Sequence, residues 1–103
     1  METDARIAAI REAAILQAIP AGFARMGVTW NGQYGDMVDP VRYDATDADI
    51  KAMVTEAIRS GSVPGITADA DADIREYVVD RFTANIDRPW SVIQTRPKTA
   101  FGL

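Results

Sequence analysis

The chain contains no histidine and no cysteine among its 103 residues. Histidine is the side chain whose charge ordinarily changes between about pH 5 and 8, and the cysteine thiolate is the strongest nucleophile available at neutral pH. Their absence excludes a Ser-His-Asp triad, a Cys-His pair, a disulfide and a zinc site built from thiolates or imidazoles. Catalysis would be left to carboxylates, lysine, tyrosine and hydroxyl groups. We therefore expect a protein that is not an enzyme and that carries no cofactor.

The chain also has fewer basic than acidic residues. Lysine and arginine number 11 against 15 acidic residues, which gives a net charge of -4. Proteins bind phosphate backbones and anionic membranes through clustered lysine and arginine. We therefore expect no direct nucleic-acid binding and no membrane binding. The imbalance is uneven, because residues 1–77 carry 13 acidic and 7 basic side chains whereas residues 78–103 carry 2 and 4. Such asymmetry can orient a protein partner or a second copy of the chain.

Long apolar runs and a basic amino-terminal region are missing as well. No uncharged apolar run approaches the roughly 18 residues that a membrane-spanning helix needs. The first residues, Met1-Glu2-Thr3-Asp4, are acidic where a signal peptide would be basic. We expect a cytoplasmic protein. Its 48% hydrophobic and 25% charged residues suit one globular domain over 1–103, with 96–103 as an extended tail.

Three segments have the periodicity and the end signals of helices, at about 4–19, 46–60 and 70–85. The first has a wide apolar face that a neighbouring element or subunit must cover. The second begins at Thr46 and ends before Gly61, residues that favour helix starts and stops. The third starts at an aspartate capping box at Asp73. Residues 21–26 are expected to add one short helical turn that Gly27 ends.

Strands are expected near 28–30, 37–43 and 90–95. Asn31-Gly32 is a strong β-hairpin signal, and Pro40 restricts its segment to an edge strand. The predicted fold is α+β, with three helices packed on a small, mainly antiparallel sheet; the alternative is a mostly α fold with one β-hairpin. The order of hairpin, helix and later strand resembles that of ubiquitin-like β-grasp domains, and no motif residue assigns the chain to a family.

One acidic pattern has the spacing of a calcium-binding loop. Asp69, Asp71, Asp73 and Asp80 occupy four ligand positions of such a loop, but Ile74 stands where the sharp turn demands glycine. The last position also normally holds a glutamate rather than the shorter aspartate. Capping of the following helix explains these carboxylates better, so we expect no metal site.

A second group of carboxylates, Asp36, Asp39 and Asp44, could supply a pair for general acid–base chemistry. Such a pair requires a fixed separation across a cleft and one raised pKa. Nothing in the sequence indicates convergence, and aspartate is common in turns. We therefore interpret these residues as turn formers and predict no catalytic residues.

Aromatic and basic residues outside the predicted helices are the candidates for recognition, because aromatic rings and arginine anchor many protein interfaces. The alternative for the two tryptophans is that they lie on paired strands and cap the core. The tail can dock into a groove or extend a sheet on another chain, and simple fraying competes with that interpretation. The predicted partner-binding residues are Trp30, Tyr34, Trp90, Arg96, Lys98 and Phe101.

Two functional hypotheses follow. The first is a non-catalytic protein–protein interaction module, a structural or accessory subunit of a larger assembly that binds a protein partner or forms a homo-oligomer. The second is a small acidic inhibitor of the type encoded by mobile elements, which would occupy a nucleic-acid-binding site on a host protein. The second requires the acidic clusters at 36–49 and 69–76 to share one face, because electrostatic mimicry depends on an array of carboxylates.

Overall fold

A computed structural model describes residues 19–98 of the chain. The elements are β1 Phe23–Trp30, β2 Gln33–Asp36, β3 Val41–Arg42, α1 Asp47–Ser60, β4 Val78–Phe82 and β5 Ser91–Arg96. The five strands form one mixed sheet in the order β2-β1-β5-β4, with β3 paired to β1 on the same side of β1 as β2. β1 and β5 are parallel and the other pairs are antiparallel.

The predicted fold class is wrong. Residues 19–98 contain a single helix on a five-stranded sheet, so neither three helices on a sheet nor a mostly α chain describes them. The predicted helix at 4–19 lies outside the described residues, apart from Ile19. No helix in the described part of the chain has the length and apolar character needed to cross a membrane.

The β1–β2 hairpin extends further back along the chain than the sequence indicated. Asn31 and Gly32 form its turn with positive φ values of 51° and 76°, so the predicted hairpin signal is confirmed. The helical turn expected at 21–26 is wrong, because β1 begins at Phe23. Gly27 is a mid-strand residue rather than a helix end, and its lack of a side chain leaves room for Tyr34 above it.

The helix predicted over 46–60 is confirmed as α1. The Thr46 hydroxyl accepts a hydrogen bond from the Asp49 amide, and Gly61 ends the helix in the left-handed conformation at φ 73°. One stripe of α1 packs on one face of the sheet, called the inner face here, where it meets alternate residues of β1 and β5. The buried apolar residues of this single core are Ala24, Met26, Val28, Val41, Ile50, Val54, Ala57, Ile58, Val63, Ile66, Ala72, Ile74 and Ile93.

The helix predicted over 70–85 is wrong. Residues 61–77 form an irregular connector between α1 and β4, and Val78–Phe82 is a strand. The aspartates that resemble a capping box instead form local turns, because Asp69 and Asp73 each accept a hydrogen bond from the amide two residues further on. The apolar spacing around Ile74 reflects burial of an irregular segment in the core.

Two contacts hold the connector against β2, and each depends on the identity of a β2 residue. Its Val63-Pro64-Gly65 segment lies against β2, where a side-chain carbon on Gly35 would come within 2.0 Å of the Pro64 carbonyl oxygen. Further along, the Gln33 side chain donates to the Thr67 hydroxyl and accepts from the Thr67 amide. The β2 edge of the sheet is therefore covered by the connector.

Arg81 ties β4 to the loop that precedes α1. Its guanidinium donates to the backbone oxygens of Tyr43 and Ala45 at 2.6 and 2.7 Å, and to the Asp47 carboxylate at 2.7 Å. The side chain is mostly buried, with 26% exposed. Because charged hydrogen bonds in such a setting are stronger than neutral ones, this contact fixes where the helix begins relative to the sheet.

Replacing Arg81 with alanine is expected to lower the free energy of unfolding by about 2–3 kcal/mol, since the loop carbonyls lose their donor. Urea denaturation followed by circular dichroism measures the change. Arg75→Ala is the matched control, because Arg75 pairs with Asp73 in solvent and its removal should leave the midpoint nearly unchanged. Equal midpoints for the two variants would contradict the role assigned to Arg81.

Candidate interaction surface

The face of the sheet opposite α1, called the outer face here, is formed by the side chains that alternate with those of the core. Strand register places these residues on one side because paired residues of neighbouring strands point the same way. Apart from Gly27, each keeps part of its surface exposed. The outer face comprises Phe23, Arg25, Gly27, Thr29, Tyr34, Asp36, Arg42, Val78, Asp80, Phe82, Val92, Gln94 and Arg96.

The strands that form the outer face hold few types of polar residue. Their polar positions hold arginine, aspartate, glutamine, serine and threonine, and they contain neither lysine nor glutamate. Protein interfaces are enriched in aromatic residues and arginine and depleted in lysine, glutamate, aspartate and serine. The two most exposed aromatic residues of this face are Tyr34, with 55%, and Phe82, with 44% of the residue surface exposed. In its aromatic residues, its arginines and its lack of lysine and glutamate, but not in its aspartates, the outer face has the composition of a protein contact.

One polar cluster lies over β1 and β2. Tyr34 Oη donates to Asp36 Oδ1 at 3.2 Å, and Arg25 Nη2 donates to the second oxygen of the same carboxylate. Gly27 lies beneath this cluster, since a side-chain carbon there would come within 2.6 Å of Tyr34 Oη. The glycine therefore lets the tyrosine ring lie across the strand next to its own.

Burial raises the pKa of the Tyr34 phenol above its ordinary value. The Asp36 carboxylate raises this pKa further, by its charge and by the hydrogen bond, while the Arg25 guanidinium acts in the opposite direction. The phenol therefore stays protonated, and remains a hydrogen-bond donor to Asp36, up to a higher pH than an ordinary tyrosine would.

Two further ion pairs complete the outer face. Arg96 Nε donates to Asp80 Oδ2 at 2.6 Å. At the other end of the sheet, Arg42 pairs with Asp44 in the following turn and lies over the Phe23 ring, 5.9 Å from its centroid. Every arginine of this face is thus matched by an aspartate, so the face is close to electrically neutral.

Of the six predicted partner-binding residues, two lie on the outer face, namely Tyr34 and Arg96. Trp30 lies on the inner side instead, where Nε1 donates to Asp69 Oδ2 at 3.0 Å and the ring stacks at a tilt 6.2 Å from Tyr77. That placement gives Trp30 a structural contact with the connector. A role for it in partner binding stays a prediction.

The other three predicted residues lie away from the face or beyond the described chain. Trp90 is half-buried just before β5, beside Phe23 and Pro89, and its Nε1 has no hydrogen-bond partner within residues 19–98. Lys98 is exposed after the end of β5. Phe101 lies outside the described residues. Partner binding by these three also stays a prediction.

The two groups of carboxylates considered for chemistry are held by separate partners. Asp36 bonds to Arg25 and Tyr34, and the Arg42 guanidinium lowers the pKa of Asp44. An acid catalyst requires the opposite shift. Residues 19–98 contain no group of three carboxylates that could hold a metal ion. Of the aspartates spaced like a calcium loop, Asp69 accepts from the Asp71 amide and the Trp30 indole, Asp73 from Arg75, and Asp80 from Arg96.

Sequence reasoning missed much of this surface. Asp80 and Phe82 were assigned to a helix, and Arg25 to a turn, so their shared face could not be recognised. The available signal was the alternation in 23–30, where Ala24, Met26 and Val28 are all fully buried.

Comparison of the chain with known protein families, curated proteins and solved structures finds no match. The function is therefore inferred from the geometry and composition of the outer face.

The raised pKa of Tyr34 predicts a pH dependence of stability. A folded-state pKa above the unfolded value contributes stability that is present below about pH 10 and is lost as pH rises through the folded pKa. Burial raises the pKa of Tyr77 in the same direction. We expect the unfolding free energy to fall between pH 9 and 12, and to fall less in Tyr34→Phe, as measured by urea denaturation with tyrosinate absorbance. Identical pH profiles for the two proteins would contradict the assignment.

Proposed function

We propose that the chain is a non-catalytic protein–protein interaction module, a structural or accessory subunit, and that the outer face of the sheet contacts its partner. The observation that carries the proposal is the composition of this face. Aromatic rings and paired arginines occupy the side of the sheet that the core does not use, in strands without lysine or glutamate.

The pairing of charges on the outer face supports this proposal. An unpaired charge buried against a partner carries a large desolvation cost, whereas a charge that already has its counterion carries less of that cost. Arg25 and Arg96 each meet their aspartate within the chain. The face can therefore be covered without leaving an isolated charge, and its exposed rings supply apolar contact area.

The acidic-inhibitor hypothesis has weaker support. Mimicry of nucleic acid needs free carboxylates, but in the first cluster Asp36, Asp44 and Asp47 each bind an arginine. In the second cluster Asp73 pairs with Arg75. These pairs reduce the negative potential that a nucleic-acid-binding site would recognise, so we do not propose this function.

Binding through the outer face is tested with alanine variants of its two most exposed rings. Full-length Tyr34→Ala and Phe82→Ala are compared with wild type as baits, and partners from an extract of the native source are quantified by mass spectrometry. We expect capture of the specific partner to fall at least about tenfold in both variants, equivalent to about 1.4 kcal/mol. Such a loss is typical of anchor residues at an interface.

The matched control is Ile86→Ala, because Ile86 is 98% exposed and lies in the loop between β4 and β5, outside the strands that form the outer face. This variant should capture the partner as wild type does. Thermal unfolding of each bait checks that it is folded. Capture that is unchanged by both outer-face substitutions, or lost equally in Ile86→Ala, would contradict the proposal.

A further inference from the structure

The two edges of the sheet differ in their protection. At one edge, β2 and β3 are separated by Met37–Pro40, which is not a strand. Pro40 has no backbone N–H group and so cannot donate a hydrogen bond to an added strand. The connector also lies along β2, with Pro64 against Gly35 and Thr67 bonded to Gln33. Breaks, prolines and covering segments are the usual means by which proteins block an edge.

In the described part of the chain, no break and no covering segment protects the opposite edge, β4. Val78–Phe82 contains no proline and no lysine, and it pairs with β5 residue for residue without a bulge. Within residues 19–98 the backbone of β4 makes one hydrogen bond besides its pairing with β5, from the Arg88 guanidinium to the Phe82 oxygen. Unpaired backbone groups of such an edge are a template for an added strand.

The side chains of β4 specify which strand would fit. Val78, Asp80 and Phe82 point to the outer face, and a neighbouring strand would place three of its own side chains directly opposite them. Apolar residues fit opposite the valine and the phenylalanine. Among the described residues Asp80 accepts only from Arg96, through Oδ2, so a basic residue opposite Asp80 can share the carboxylate through Oδ1. On the inner side, Arg81 is already engaged with the loop before α1.

A second copy of the chain fits this edge poorly. Antiparallel pairing of β4 with itself, centred on its middle residue, places Asp80 opposite the same aspartate of the other copy. A shift toward the carboxyl end places Arg81 opposite Arg81, and a shift the other way leaves Asp80 opposite Val78. The first two registers bring like charges directly opposite one another, which destabilises a strand pair. The third register pairs only Val78–Asp80 of each copy and leaves each Asp80 opposite an apolar residue, so the occupant is a different sequence.

We propose that the β4 edge binds an extended segment of a partner protein by strand addition, with an apolar–basic–apolar pattern on the side of the outer face. This inference rests on the proposed interaction function and adds that the partner binds as an extended strand. The added strand would lie beside the outer face and continue it.

The test uses the full chain and short capped peptides. The probe is Thr-Val-Thr-Lys-Thr-Val-Thr; one control peptide has glutamate for lysine, and a second has proline for the two threonines that flank lysine. Hydrogen exchange of the Val78–Phe82 amides is followed by NMR. With the lysine peptide we expect exchange of the edge-facing amides to slow at least about tenfold, with a smaller effect for glutamate and none for proline.

Protein variants provide a matched control for the same edge. Phe82→Lys should abolish the effect of the lysine peptide, because it places like charge beside the added strand, whereas Ile86→Lys should retain it. Exchange unaffected by the lysine peptide, equal effects of the lysine and proline peptides, or β4 edge amides already protected without peptide would overturn strand addition. If the peptide binds but Tyr34→Ala still captures the native partner, the outer-face proposal fails and strand addition stands.

Discussion

The parallel pairing of β1 with β5 is the contact on which the rest of the structure depends. It joins residues 23–30 to residues 91–96 at the centre of the sheet, and all other described elements lie in the chain between them. A side-chain hydrogen bond also joins the two strands, because the buried Thr95 hydroxyl of β5 donates to the Gly27 carbonyl oxygen of β1. Parallel neighbours require a long crossover, and in residues 19–98 the helix and connector that form it pack on one face of the sheet.

Sequence patterns predicted correctly those elements whose structure depends on residues close together in the chain. The Asn31-Gly32 turn and helix α1, from Thr46 to Gly61, follow from residues that are adjacent in the chain. The sequence predicted helical structure at 21–26 and 70–85, where the structure has parts of β1 and β4. Both segments are strands because of residues distant in the chain: Tyr34 lies over Gly27 of β1, and β5 pairs with β4. Competing local patterns, a glycine stop and an aspartate capping box, favoured helices that tertiary pairing overrides.

The candidate surface was predictable only in part for the same reason. Tyr34 could be identified from its glycine-flanked turn and Arg96 from its basic tail. The pairing of Arg96 with Asp80 spans sixteen residues and depends on the β4–β5 register, which no local pattern reports. Trp30 was expected to contact a partner or cap the core, and the observed bond to Asp69 became visible only once the path of the connector was known.

The direction of the two central strands has a mechanical consequence. Since β1 and β5 run the same way, Phe23 and Arg96 lie at opposite ends of the sheet. A pulling force applied between these two positions would act along the strands and load the β1–β5 ladder in shear, so that its hydrogen bonds must rupture together rather than one by one.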